Sequence, residues 1–240
     1  LTESKDWNNI EWLNGARNLV EWVNQRPSNE RLLILLRHSQ RDVIEDHSLQ
    51  FSTGLTTIGK EMSFEMGQRL PVVNPIRIFF SFVSRCYETA DRLAKGVRKN
   101  GGEILEFETA PILVMPDYSN EVVWENLQPD GENVTEFINR WADNEFGDDL
   151  ESFEIYNNKL LKHTFGRLKQ ENNPVMHIHV THDLALMVIK RFLLQRPIRY
   201  EDRESYQGGI SSTIDEKGSW FLYNSGKETQ LSFSNIDFEI

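Results

Sequence analysis

The feature that most constrains this 240-residue chain is the unbroken apolar run Leu32-Leu-Ile-Leu-Leu36, which comes after Arg31 and stops abruptly at Arg37-His38. A run of that length without polar alternation suits a strand buried on both faces, as in a parallel sheet covered by helices. Two further runs have the same character: Ile76–Val83, broken by Arg77, and Val175–Thr181. Residues 103–109 offer another strand. Helical spacing fills the intervals. Trp12, Ala16, Leu19 and Val23 share one face of a helix over 8–24 that Pro27 closes. Ile58, Met62, Met66 and Leu70 do so over 56–70, with Thr56 or Thr57 as N-cap and Pro71 as the stop. A helix carrying Ala90, Leu93, Ala94 and Val97 ends at Asn100-Gly101-Gly102. Two helices with a break near Gly147 are expected over 132–171, and another opens at His182-Asp183, with Asp183 able to cap it. A hairpin around Lys217-Gly218, pairing 209–215 with 220–223, precedes a polar tail.

Alternation of strand and helix predicts an α/β fold, with a largely parallel (mixed) central sheet flanked by helices on both faces. The 39% of apolar residues supports one sizeable core. The expectation is one domain over 1–240, with 1–30 as an N-terminal helical extension and 103–150 as a lid-like excursion. A formal net charge of −11 argues against nucleic acid or an anionic membrane as partner. No apolar run reaches the ~18–20 residues of a membrane span. No basic segment leading into an apolar one opens the chain, so the reading is cytoplasmic. A single cysteine, Cys86, excludes an internal disulfide and a Cys-based zinc site.

The residues just past each strand are more informative still. The first strand ends in Arg37-His38 with Arg41 close behind, the second in Ser84-Arg85, and the third in His182-Asp183. Ligands of open α/β sheets sit beyond the carboxyl ends of the strands, where helix N-termini add backbone N–H groups. Three strands therefore deliver cationic or hydrogen-bonding groups to one edge, and a phosphate is the natural occupant.

These blocks resemble the histidine phosphatase (phosphoglycerate-mutase-like) superfamily. LLRHSQR at 35–41 is similar to its RHGxxR or RHGxR signature, LTTIGKEMSFEMGQRL at 55–70 to its L-T-P-x-G helix, SFVSRCYETA at 81–90 to its S-P-x-x-R-x-x-x-T-A block, and VTHDLALM at 180–187 to its second-histidine motif. The resemblance implies His38 as nucleophile and Arg37, Arg41, Arg85 and His182 as ligands of the substrate phosphate. Neither metal nor other cofactor is implied, and the expected partner is a small phosphomonoester. Ser39 stands where the family usually has glycine and Phe82 where it usually has proline. Ser39 matters more, because its carbonyl should take the proton on the far side of the His38 ring.

For the acid that protonates the leaving oxygen, two candidates stand. Asp183, directly after His182, resembles the acid-phosphatase and phytase branch, whereas Glu121 or Glu125 corresponds loosely to the glutamate of the mutase-like branch. Asp183 is favoured, and a partly protonated acid predicts a mildly acidic optimum. Two other readings are a phosphoglycerate-type mutase and a non-catalytic phospho-ligand module on the same fold.

His177-Ile-His179 with His182-Asp183 superficially resembles an H-x-H-x-D-H metal motif, but Thr181 replaces a required carboxylate. The sequence reading makes His177 and His179 core residues and His47 and His163 surface residues. Trp124 is read as a packing anchor or a wall of the substrate mouth. Arg196, Arg199 and Arg203 could recruit an anionic substrate, but a solvated loop is the favoured reading.

Overall fold

The computed structural model describes residues 7–44, 46–127 and 131–232. In chain order the regular elements are α1 (Asn14–Asn24), β1 (Arg31–Arg37), α2 (Thr57–Arg69), β2 (Ile76–Phe80), α3 (Ser84–Lys99), β3 (Ile104–Thr109), α4 (Val134–Ala142), α5 (Phe153–Leu161), α6 (Arg167–Gln170), β4 (Met176–Thr181), α7 (Asp183–Leu194), β5 (Gly209–Ile214), β6 (Trp220–Asn224) and β7 (Lys227–Leu231). Short 3-10 turns join several of them, and a π-helical turn, Lys162–Gly166, fuses α5 to α6.

The seven strands form one sheet in the order β3-β2-β4-β1-β5-β6-β7. β3, β2, β4 and β1 run parallel, and β5, β6 and β7 are antiparallel additions. The sheet is thus mixed around a parallel core, as the uninterrupted apolar strands require. Alternate residues of β1 serve opposite faces. Leu32, Ile34 and Leu36 pack with α1, α2 and α3, while Leu33 and Leu35 pack with α4, α5 and α7. Both layers are needed, because a strand apolar on both sides is stable only if both sides are covered.

The register explains why three strands serve one place. β4 lies between β1 and β2, and Val180 pairs with Leu36 on one side and Phe80 on the other. One residue further on, His38 N–H donates to Thr181 O at 2.9 Å and Ser81 N–H to Val180 O at 3.1 Å. The ends of the three strands are therefore level, and His38, Ser81 and His182 leave the sheet side by side.

Several expected boundaries move for visible reasons. β2 ends at Phe80 rather than Val83, because Ser81 turns out of the sheet. Thr56, not Thr57, caps α2, accepting from Gly59 N–H at 3.0 Å. Gly59 itself is required: a Cβ there would stand 2.2 Å from Gln40 O, so only glycine lets α2 start against the loop after His38. The expected polar tail supplies β7, which pairs antiparallel with β6, and residues 233–240 lie outside the described residues. Residues 103–150 begin as sheet strand β3 and then place Val123, Phe137, Ile138 and Trp141 in the core beside α7. No helix among the described residues is long and apolar enough to cross a membrane.

Candidate active site

At the level strand ends lies a cleft of about 220 Å³ whose floor gathers Arg37, His38, Arg41, Arg85, His182 and Asp183. Every residue favoured from the strand ends reaches this one place. Glu121 and Glu125 do not: both are exposed on a 3-10 segment and neither lines the cleft.

Arg85 fixes the state of both histidines. A guanidinium can only donate, so a ring nitrogen facing it must accept. Arg85 Nε donates to His38 Nε2 at 3.1 Å. His38 Nε2 therefore carries a lone pair, and Nδ1–H donates to the Ser39 carbonyl at 2.8 Å. The carbonyl contact expected of residue 39 is made although it is not glycine. The Ser39 hydroxyl is buried but satisfied: it donates to Gly59 O at 2.8 Å and accepts from Gln207 Nε2 at 2.7 Å. Ser39 N–H donates to Thr89 Oγ1 at 3.0 Å. Replacement of the usual glycine is thus matched by buried polar partners, as an interior hydroxyl demands.

The second histidine repeats the logic. Arg85 Nη2 donates to His182 Nδ1 at 3.1 Å, so the ring proton lies on Nε2 and is given to Ser81 Oγ at 2.8 Å. The two rings stand 5.5 Å apart between centroids. Both pKa values lie well below the ordinary histidine value. The first cause is burial, reinforced in each by Arg85 and Arg37. His38 is thus held as a neutral imidazole with its lone pair beside a guanidinium. Cys86, whose Sγ lies 3.5 Å from His182 Nε2, is no rival nucleophile, because burial pushes its thiol up to about 12.

Asp183 is the first residue of α7, and the N-cap is His182 without a side-chain cap bond. The capping role open to Asp183 is not taken, because arginines claim its side chain. Oδ2 accepts from Arg203 Nε at 2.5 Å and lies 3.4 Å from Arg37 Nη1. Oδ1 is buried with no partner among the described residues. Arg37 also donates to Glu204 O at 2.8 Å and lies over the Tyr206 ring at 4.9 Å. Arg41, which also lines the cleft, donates to Asp42 O at 2.7 Å.

Sequence reasoning misses three contributors. Arg203, expected in a solvated loop, lines the cleft and holds Asp183. Nothing marks it, since an arginine in a polar loop has no periodic context. Gln207 has no motif around it, although its buried amide also donates to Ser63 Oγ at 2.9 Å. Ser81 has a visible signal as first residue of the SFVSRCYETA block. Of the other loop arginines, Arg196 makes a two-armed pair with Asp202 at 2.7 Å per arm, and Arg199 pairs with Glu201 at 3.5 Å.

The remaining histidines divide. His177 and His179 are buried in the sheet, with Phe79 stacked on His179 at 4.9 Å. His163, expected at the surface, packs edge-on to His179 and is half-buried. The side chain of His47 lies outside the described residues. No group of three His, Cys, Asp or Glu side chains among the described residues is arranged to hold a metal ion.

Comparison with known proteins gives the family and the fold. The sequence model of the histidine phosphatase superfamily (branch 1) matches residues 33–222, and the chain belongs to that superfamily. Bacillus stearothermophilus YhfR is 20% identical, with a TM-score of 0.53 over 82% of this chain and 97% of that one. A putative α-ribazole-5′-P phosphatase from Escherichia coli is 19% identical, with a TM-score of 0.52 over 82% and 97%. A mycobacterial glucosyl-3-phosphoglycerate phosphatase is 16% identical, with a TM-score of 0.50 over 81% and 97%. At such identities the likeness is one of fold, phosphoglycerate-mutase-like. No curated protein sequence matches. The leaning towards the acid-phosphatase and phytase branch rests on Asp183 and Arg41, with no support from the comparisons.

Proposed function

We propose that the chain is a phosphomonoester hydrolase that works through a phosphohistidine at His38. The observation that carries the reading is the lone pair on His38 Nε2, fixed by Ser39 O on one side and set among Arg37, Arg41 and Arg85 on the other. A neutral nucleophile meets a phosphate dianion without repulsion, and the guanidinium groups take up charge on the equatorial oxygens.

Arg85 gives donors to the two histidines and to Gln50 O. An incoming dianion competes for them and leaves His38 Nε2 facing phosphorus. Nε2 attacks, the P–O bond to the organic group breaks, and Asp183 gives the departing oxygen a proton. The positive charge gained by the ring is shared with Ser39 O through Nδ1–H. Water then attacks the phosphohistidine, Asp183 takes its proton, the P–N bond breaks, and inorganic phosphate leaves. Asp183 is preferred to Glu121 and Glu125 because it lines the cleft and keeps Oδ1 unpaired, whereas both glutamates are exposed outside it.

Phosphate release from benzyl phosphate and p-nitrophenyl phosphate tests the reading. Wild type is expected to release phosphate from both, and His38→Ala from neither. Asp183→Asn should lose about 10²-fold or more on benzyl phosphate, whose alkoxide needs a proton, and far less on p-nitrophenyl phosphate. Equal losses on the two substrates would remove Asp183 as the acid. Retention of the phosphoryl group without release to water would favour the mutase reading.

A further inference from the structure

Above its charged floor the cleft changes character. The walls are formed by Phe51, Val83, Met115, Trp124, Leu127 and Leu184. Among the described lining residues Asp183 is the lone carboxylate, there is no lysine, and the cation beyond Arg37, Arg41 and Arg85 is Arg203, already paired with Asp183. A sugar or inositol phosphate would press its hydroxyls against these walls with few partners, which costs free energy for every unpaired group. A second phosphate would find no second cluster of cations. An aromatic ring gains from the same surface.

Two details narrow the ligand. The Trp124 indole is held as a rigid plate, stacked on Phe137 at 5.9 Å and met edge-on by Tyr118 at 5.1 Å. At the mouth Phe51, 40% exposed, stacks with Phe82, 53% exposed, at 6.1 Å, a pair of rings that water covers poorly.

We propose that the organic half of the substrate is flat and apolar, an aryl or arylalkyl group, with Trp124 and Phe51 setting specificity. This rests on the phosphomonoesterase reading of the same site.

The test is binding of benzylphosphonate and methylphosphonate to the full chain by titration calorimetry. Neither can be hydrolysed, so the readout is independent of turnover. Benzylphosphonate should bind about tenfold tighter or better. That ratio should fall roughly threefold in Trp124→Ala and in Phe51→Ala, a substitution at an exposed position that leaves the core intact. Equal affinities overturn the proposal, as does a ratio that ignores both substitutions. If the ratio holds but no monoester is hydrolysed, the hydrolase reading fails and the apolar wall stands. If benzyl phosphate and glycerol 3-phosphate are hydrolysed with equal kcat/KM, the hydrolase reading stands and the wall fails. Absence of binding by either phosphonate overturns both.

Discussion

Two groups of buried histidines in this molecule look alike by every local measure except one. His38 and His182 sit just past the ends of β1 and β4, while His177 and His179 lie within β4, with His163 packed against His179. In all five, burial is the first cause of a pKa below the ordinary value. Yet every ring nitrogen of the first pair has a partner, through Arg85, Ser39 and Ser81. In the second group His177 Nδ1, His163 Nε2 and both nitrogens of His179 have none among the described residues. A depressed pKa therefore does not by itself separate the two groups. A donor-only guanidinium that fixes both tautomers, and a cleft through which a ligand can arrive, set the first pair apart.

The difference between the groups breaks most sharply at Arg85. Arg85→Ala removes the group that both cleft histidines share, and kcat/KM for benzyl phosphate should fall about 10²–10³-fold. A loss under tenfold would mean that Arg85 orders the histidines without touching the phosphate.

Acid treats the two groups alike, which gives the second test. The unfolded histidines take up protons near pH 6.5, whereas the folded ones resist until well below it, His163 until about 4. Below that unfolded value the unfolded state binds more protons. Stability is then fully present above roughly pH 6.5 and is lost as pH falls towards the folded values. The urea midpoint should be level from about pH 7 to 8 and drop steeply between about pH 6 and 4. A level midpoint across the acid range would show that the interior accommodates charged imidazoles.

The smallest effect carries the opposite sign. His179→Leu replaces two unpaired buried nitrogens with apolar atoms of similar volume, and should raise stability by about 1 kcal/mol. It should leave kcat/KM within about twofold of wild type. A loss of 2 kcal/mol or more would reveal a partner for His179 that its surroundings do not provide.

Legibility in the sequence divides in the same way. Burial on both faces leaves unbroken apolar runs at β1, β2 and β4, and chemistry concentrated at strand ends leaves short blocks of arginine and histidine. Both are local signals. β7 is illegible because Lys227–Leu231 is exposed on an edge, where no apolar alternation is required. The π-helical turn at Lys162–Gly166 leaves no mark on helical spacing in so short a stretch. The loop of Arg203 is anchored to α7, where buried Lys190 donates to Asp202 O at 2.7 Å and pairs with Glu204. That is a tertiary relation between a helix and a loop, which leaves no local pattern. The apolar walls are hidden for a similar reason, since Met115, Trp124 and Leu127 come from a segment of short 3-10 turns without helix or strand periodicity and join Phe51, Val83 and Leu184 only in the folded chain.

The central claim is that phosphorus bonds to His38 Nε2. Wild-type protein mixed with p-nitrophenyl phosphate, quenched in base and mapped by mass spectrometry, should carry one phosphoryl group on the peptide containing His38. The group should vanish on brief acid treatment, and His38→Ala should carry none. Phosphate release that persists in His38→Ala, or a phosphoryl group found on His182 instead, would contradict it.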